Sequence, residues 1–179
     1  EKRHCEALLR LPEQIEQILK NEELFKPVAE RFSKASSIFF IGRGLDYSIS
    51  LEGSLKLKEI SYIKSEAYAA GELKHGTISL IEPGTPVFAV ATQPDLFEKT
   101  LGNIREVKSR GAYVAALVGE DCENAGEFSD VAIKVPMTLP EYMPSLNVVP
   151  LQLIAYFTAV GRGCDVDKPR NLAKSVTVE

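Results

Sequence analysis

Three charged residues of one predicted helix have the types and the spacing that acid–base chemistry needs. The segment 46–63 contains no proline, and a helical wheel places Glu52, Lys56 and Glu59 on one narrow arc between rows of apolar side chains. A carboxylate beside an ammonium in partly desolvated surroundings can move protons. The same spacing is typical of ion pairs on a solvated helix face, so the residues alone leave both interpretations open.

Two further segments carry groups that could join such a site. His75 lies in the glycine-flanked run GELKHG, and a histidine titrates near neutral pH, although a capping or surface histidine fits equally well. The tail 161–179 has no clear period and carries Arg170 and Lys174. It is either a frayed terminus or an arm that brings a cation over a site, where a lysine could form an imine with a carbonyl substrate.

The elements that must position these residues alternate between strand and helix. Such alternation predicts a doubly wound α/β domain, in which helices cover both faces of a parallel sheet. Pro12 and Pro150 are each expected in the first turn of a helix. The predicted strands are 37–41, 64–69 as an edge strand, 86–91, 112–118 and 131–135, and the predicted helices are two within 3–34, then 46–63, 71–80, 95–109 and 147–160.

The turns after the strands are where ligands bind in sheets of this kind. Gly42-Arg43-Gly44 lacks the third glycine of a dinucleotide site, and Tyr47 would block the close packing that such a site needs, so a glycine-dependent turn is favoured. Thr92-Gln93-Pro94 has one hydroxyl and a proline without an N–H, which makes it a poor phosphate cradle. The third such turn is Gly119-Glu120-Asp121.

The composition of the chain narrows the classes of function. Its 179 residues are 45% hydrophobic and have a formal net charge of −4, which predicts one globular domain without affinity for nucleic acid or anionic membranes. No apolar run near 20 residues and no signal-type core are evident, so we expect a cytoplasmic protein. Three widely separated cysteines fit neither a disulfide framework nor a metal site, and no cofactor or metal is expected.

The run LEGSLKLKEISYIKSEAYAAGELKHG and the ending DVDKPRNLAKSVTVE resemble the C-terminal sugar isomerase half of the glucosamine-6-phosphate synthase family. The resemblance spans the whole chain. It implies the SIS (sugar isomerase) fold, a three-layer αβα domain with a five-stranded parallel sheet, over 1–160, and a C-terminal tail over 161–179 that covers the active site. It also implies a homodimer that converts fructose 6-phosphate and glutamine into glucosamine 6-phosphate and glutamate.

The resemblance also implies roles for individual residues. Glu59 corresponds to the carboxylate that moves a proton between C1 and C2 of the sugar, and Lys56 to the lysine beside the reacting carbons. His75 corresponds to the ring-opening histidine, which the neighbouring protomer contributes in family dimers. Lys174 corresponds to the lysine that forms the Schiff base with the C2 carbonyl. The implied substrate-binding residues of the tail are Arg170, Asn171 and Ala173.

Two parts of the family enzyme have no counterpart in the sequence. The N-terminal glutaminase and the first SIS subdomain, which holds the sugar phosphate in this family, are both missing, and the chain does not begin with Met. We therefore expect a piece of a longer protein that alone has no synthase activity and binds fructose 6-phosphate weakly if at all. Two alternatives stay open, a regulatory SIS module that binds sugar phosphates and a purely structural dimerisation half.

Overall fold

The computed structural model describes residues 1–172 and shows a single five-stranded sheet. All the strand pairs are parallel, and the order is β2-β1-β3-β4-β5, so β2 is an edge strand as predicted. This order confirms the doubly wound α/β class. The strands are β1 (Ser37–Gly42), β2 (Lys64–Ala69), β3 (Pro86–Ala91), β4 (Tyr113–Gly119) and β5 (Val131–Val135).

Five α-helices cover the two faces of the sheet. One core joins one face to α1, α2, α3 and α5, and a second core joins the opposite face to α4 and the 3₁₀ helix Ala70–His75. Alternate side chains of each strand supply the two cores, which is the three-layer arrangement that was predicted. The helices are α1 (Lys2–Lys20), α2 (Lys26–Ser33), α3 (Leu45–Ser61), α4 (Phe97–Lys108) and α5 (Met143–Gly161).

Several local predictions were wrong. Pro12 lies inside α1 and Pro150 inside α5, rather than in a first turn. Packing of each amphipathic or buried helix outweighs the local cost of the missing N–H donor. The segment predicted as one helix over 71–80 is two 3₁₀ helices, because Gly76 between them has φ 142, which no α-helix accommodates.

The long apolar helix at the end of the domain also departs from expectation. Pro140–Gly161 has the length and the composition of a membrane span, with a mean hydropathy of 1.3, whereas no such run was expected. Half of it is buried inside the protein, where α5 contributes Leu146, Leu151 and Ile154 to the first core. The core helix of a globular domain passes the same test of length and hydropathy. Length and hydropathy alone are therefore weak evidence for a membrane span.

The direction of α3 decides where its side chains lie. β1 ends at Gly42, and α3 begins at Leu45, beside the carboxyl end of the sheet. Lys64 follows the helix by three residues and pairs with Ser37, the first residue of β1. The helix therefore runs back along the sheet, so that its first turn lies at the carboxyl end of the strands and its last turn at the amino end.

Candidate active site

The predicted acid–base pair forms in the last two turns of α3. The Lys56 ammonium donates a hydrogen bond of 2.7 Å to Glu59 Oε2 and lies 3.6 Å from Glu52 Oε1. The side chains of Lys56 and Glu59 are 33% and 27% exposed, so Glu59 is neither buried in hydrocarbon nor fully solvated. The hydrogen bond to Glu59, with the charges of both carboxylates, raises the pKa of Lys56. Lys56 is consequently held as an ammonium.

The apolar rows that were predicted beside these charges are not both buried. Leu51 and Leu55 are 47% and 43% exposed, so that side of the strip faces outward. The inner face of α3 is made largely of small residues instead, because α3 and α5 pack closely: a Cβ added at Gly53 would lie 2.9 Å from the Leu151 side chain. The buried residues of α3 are Asp46, Ser50, Gly53, Ser54, Leu57 and Ser61.

The tail reaches the same end of α3. Arg170 stacks its guanidinium over the Tyr62 ring, 4.2 Å from the centroid, and its backbone N–H donates a 2.8 Å hydrogen bond to the Tyr62 hydroxyl. Tyr62 ends α3 in the left-handed conformation with φ 61, which a non-glycine residue adopts only when its surroundings favour it. The tail therefore contacts α3 at Tyr62, which is three residues after Glu59 in the sequence. Sequence reasoning missed Tyr62, since nothing local marks a tyrosine as a helix cap.

The other predicted site residues are not gathered at this end. His75 is exposed and ends the 3₁₀ helix Ala70–His75, whose Leu73 packs into the core on the sheet face opposite α3. The structure therefore does not bring His75 and Glu59 of one chain together. Asn171 is exposed, with φ 62, next to Arg170. Ala173 and Lys174 lie outside the described residues.

The opposite end of α3 holds a buried polar cluster, which we call the Asp46 cluster: Asp46, Thr92, Gln93 and Asn147. Asp46 Oδ2 accepts hydrogen bonds from the backbone N–H of Thr92 at 2.7 Å and of Gln93 at 3.1 Å. Asp46 Oδ1 accepts from the Thr92 hydroxyl at 2.7 Å and from Asn147 Nδ2 at 3.4 Å. Asn147 Nδ2 also donates to Thr92 Oγ1 at 2.7 Å. Burial raises the pKa of Asp46, and the hydrogen bonds from Thr92 and Gln93 offset only part of that rise.

Sequence reasoning did not single out Asp46 or Asn147. The available signals were an aspartate two residues after a glycine turn and an asparagine in a largely apolar helix, and neither shows which strand it faces. One cleft opens at each end of the sheet. A cleft of about 630 Å³ lies at the carboxyl ends of β3 and β4, and a cleft of about 580 Å³ lies at the amino ends of β1 and β3. Neither cleft is lined by Lys56, Glu59 or His75.

The fold is a doubly wound α/β domain, and the charged groups near the end of α3 are of the kind that moves protons. The SIS domain model matches residues 31–161, and the chain belongs to that family. It is 57% identical, over 96% of its length, to the glutamine--fructose-6-phosphate aminotransferase [isomerizing] of Caldanaerobacter subterraneus. The chain spans only 28% of the length of that relative.

Two solved structures extend the comparison. The C-terminal domain of glucosamine-fructose-6-phosphate aminotransferase from Francisella tularensis matches 93% of this chain with 36% identity and a TM-score of 0.88, over 47% of its own chain. Glucosamine-6-phosphate deaminase from Thermotoga maritima matches 98% of this chain with 29% identity and a TM-score of 0.70, over 50% of its own chain. The resemblance drawn from the sequence motifs is thereby confirmed.

Proposed function

We propose that the chain is the C-terminal half of the isomerase part of a glucosamine-6-phosphate synthase. The similarity to the Caldanaerobacter and Francisella proteins supports the family of enzyme. One observation carries the catalytic assignment: the Lys56–Glu59 pair lies close to the point where the tail contacts α3. Lys56, Glu59 and Tyr62 fall within seven residues at the end of this helix, and Tyr62 contacts Arg170 of the tail. An acid–base group on a rigid helix and the arm that leads to Lys174 thus converge on one place.

The roles of the charged groups follow from their protonation states. The imine is assigned to Lys174, which corresponds to the tail lysine that forms the Schiff base in this family. An imine forms only from a neutral amine, and the raised pKa of Lys56 makes that residue poorly suited to the same step. The Lys174 amine adds to the C2 carbonyl of fructose 6-phosphate and water leaves. Ammonia then adds at C2 and displaces the Lys174 amine, which leaves the C2 imine of ammonia. That imine acidifies the C1 proton, which the Glu59 carboxylate removes and returns at C2, so that C1 becomes the aldehyde and C2 carries the amino group. Lys56 holds Glu59 in place through the 2.7 Å hydrogen bond.

Ring opening is assigned to His75 of a neighbouring copy. Within one chain His75 belongs to the layer on the sheet face opposite α3, so a second protomer is the natural source of a histidine for the Glu59 site. The active protein is accordingly proposed to be a homodimer. Arg170, Asn171 and Ala173 are proposed to bind the substrate, and the Arg170 guanidinium would then leave Tyr62 or present its free edge to the sugar.

The remaining functions are assigned to segments beyond this chain. A glutaminase must supply ammonia, and a first SIS subdomain must hold the sugar phosphate. The isolated 179 residues are therefore expected to lack synthase activity and to bind fructose 6-phosphate weakly if at all. A cytoplasmic location stays a prediction from composition.

A chimera tests the proposal. This chain replaces the matching segment of the Caldanaerobacter relative, and formation of glucosamine 6-phosphate is measured. Borohydride reduction in the presence of fructose 6-phosphate should attach the sugar covalently to Lys174, as read by mass spectrometry of the tail peptide. Lys174→Arg should abolish both the adduct and turnover, because a guanidinium does not form the imine.

Lys168→Arg is the matched control, since Lys168 is an exposed lysine of the same tail. It should retain both the adduct and turnover. A folded, dimeric chimera that makes no product would reject the proposed enzyme. A chimera that turns over normally with Lys174→Arg would keep the enzyme but reject the assigned imine.

A further inference from the structure

The crevice between β1 and β3 at the carboxyl end of the sheet contains a charged group for which the proposed reaction has no use. In a sheet of order β2-β1-β3-β4-β5, the connection after β1 leads to β2 on one side and the connection after β3 leads to β4 on the other, and ligands of such sheets bind at this point. In this chain the crevice holds the Asp46 carboxylate. Asp46 is 1% exposed, and its partners Thr92 and Asn147 are 2% and 0% exposed.

The sequence predicts a poor phosphate cradle at Thr92-Gln93-Pro94, but the structure aims three donors of this turn at one anionic group, as a phosphoryl site would. Successive backbone N–H groups with a hydroxyl are the usual donors to phosphate oxygens. Here the N–H of Thr92, the N–H of Gln93 and the Thr92 hydroxyl all donate to the two oxygens of Asp46, at 2.7, 3.1 and 2.7 Å. We infer that the Asp46 carboxylate occupies the anion site of this crevice as a built-in ligand and excludes the phosphoryl group of sugar phosphates.

The backbone at the end of β1 is shaped to allow this contact. A Cβ added at Gly42 would lie 2.5 Å from the backbone carbon and oxygen of Asp46, so only glycine lets the first turn of α3 approach the strand this closely. Gly44, with φ 56, turns the chain into the helix. As a result, the Asp46 side chain reaches the turn that follows β3.

The surrounding charges also disfavour a bound anion. Arg43 is the cation of the glycine turn, but its Nε donates to Asn103 Oδ1 at 3.0 Å, and its guanidinium lies against Gly71. The adjoining 630 Å³ cleft is lined by the carboxylates Asp121 and Glu123. A phosphoryl group in the crevice would meet the Asp46 carboxylate, and Asp121 and Glu123 add negative charge in the adjoining cleft. A like charge at short range is strongly unfavourable in a partly desolvated site.

The inference concerns phosphate binding alone and holds whether or not the proposed function is correct. Together with that function, it gives a physical reason for dividing the work between domains. This domain would supply the proton-moving carboxylate, and the phosphoryl group of the substrate would be held by another domain.

Removing the carboxylate should uncover the anion site. In Asp46→Ser the N–H groups of Thr92 and Gln93 lose their acceptor, and inorganic phosphate should replace it. We expect saturable amide shifts at Thr92 and Gln93 in ¹⁵N spectra, and a Tm that rises by about 2–4 °C at about five times the Kd. The unmodified chain at the same phosphate concentration should show no saturable amide shifts, and its Tm change is subtracted from that of the variant because phosphate stabilises folded proteins in general.

Asp121→Ser is the matched control, since it removes an exposed carboxylate of the same cleft without freeing a backbone N–H. It should behave like the unmodified chain. Equal phosphate binding by Asp121→Ser, saturable shifts at Thr92 and Gln93 in the unmodified chain, or none in folded Asp46→Ser would each overturn the inference.

If Asp46→Ser does not fold, Asp46→Asn tests the same contact. The amide retains the shape of aspartate but offers one acceptor oxygen in place of two. The amide hydrogens of Thr92 or Gln93 should then exchange with solvent faster than in the unmodified chain. Unchanged exchange at both positions would contradict the inference.

Discussion

The two ends of the sheet hold polar groups of similar type in opposite physical states. At the carboxyl end, the Asp46 cluster is buried, and each donor that faces the carboxylate already has its acceptor. At the amino end, Lys56 and Glu59 are about one-third exposed and are joined by one short hydrogen bond, with room for a further partner. The buried cluster, in which one buried side-chain atom, Asn147 Oδ1, lacks a partner among the described residues, is suited to fixing structure, whereas the accessible pair is suited to exchanging protons.

A single helix produces this difference. The first turn of α3 closes the crevice at the carboxyl end with Asp46, and its last turns carry Lys56 and Glu59 to the amino end. The general rule that α/β sheets bind ligands at the carboxyl ends of strands would direct attention to the crevice between β1 and β3, which Asp46 fills. The lesson is that a ligand crevice can be filled by the chain itself, and the accessible chemistry is then found elsewhere.

The largest expected effect separates catalysis from stability. In the chimera with the Caldanaerobacter relative, Glu59→Gln should lower kcat by about 10²–10⁴-fold, because the amide cannot accept the C1 proton. Its free energy of unfolding should change by no more than about 1 kcal/mol, since the pair with Lys56 is partly exposed.

Glu30→Gln is the matched control for that variant. Glu30 pairs with Lys34 at the same 2.7 Å on another helix, so the substitution removes a similar ion pair and should leave kcat within about twofold. A Glu59→Gln enzyme with normal turnover would remove the assigned role of the amino end.

The next effect concerns the close approach that closes the carboxyl end. Gly42→Ala should destabilise the chain by about 1–3 kcal/mol or more, because the new methyl group meets the Asp46 backbone at 2.5 Å. Denaturant unfolding with a two-state fit measures the change.

Gly102→Ala is the control, since Gly102 lies within α4 with nothing within 4 Å of an added Cβ. Helix propensity predicts that this variant is more stable by about 0.5–1 kcal/mol. Equal effects of the two substitutions would show that the strand–helix contact at Gly42 is not tight.

A smaller effect should appear at the amino end, where the tail contacts α3. Tyr62→Phe keeps the ring under Arg170 but removes the hydroxyl that accepts the Arg170 N–H. A hydrogen bond of this kind contributes about 0.5–1.5 kcal/mol, so exchange of the Arg170 amide hydrogen should accelerate by roughly 2–10-fold. Tyr142→Phe, which alters a tyrosine hydroxyl contact elsewhere, should leave that exchange rate unchanged. Equal rates in Tyr62→Phe and the unmodified chain would rule out the contact.

The smallest effects concern how the stability of the folded state depends on pH at the two ends of the sheet. The pKa of Asp46 is raised above its ordinary value of 3.8, so protonation stabilises the folded state. That contribution is complete below 3.8 and is lost as pH rises through the folded-state pKa, and the stability of the chain relative to Asp46→Asn should therefore increase on acidification.

Lys56 should respond at the alkaline end of the scale. Its pKa is raised above 10.5, so its stabilising contribution is complete below that value and is lost as pH rises through the folded-state pKa. The stability difference between the chain and Lys56→Met should shrink there, by no more than a few tenths of a kcal/mol for so exposed a pair. Stability curves with the opposite slope at either end would contradict the assigned environments.

Sequence patterns were sufficient for the strands and for the charged pair. Short apolar runs bounded by glycine and proline identify strands such as 86–91 and 112–118, because buried parallel strands are apolar on both faces. The i, i+3 spacing of Lys56 and Glu59 likewise fixes their proximity, since helix geometry depends only on local separation. The interiors of α1 and α5 were harder to predict, because Pro12 and Pro150 are tolerated only through packing that the local sequence does not show.

The sequence by itself therefore determined the fold class, the family and the Lys56–Glu59 pair, whose members are three residues apart. Only the tertiary structure decided that Asp46 faces Thr92 across 46 residues, that Tyr62 receives Arg170 across 108, and that His75 lies on the face opposite Glu59. The physical reason is range. Helical spacing and strand patterning are local properties of the chain, whereas the closure of a crevice or the docking of a tail depends on which distant surfaces the packed sheet brings together.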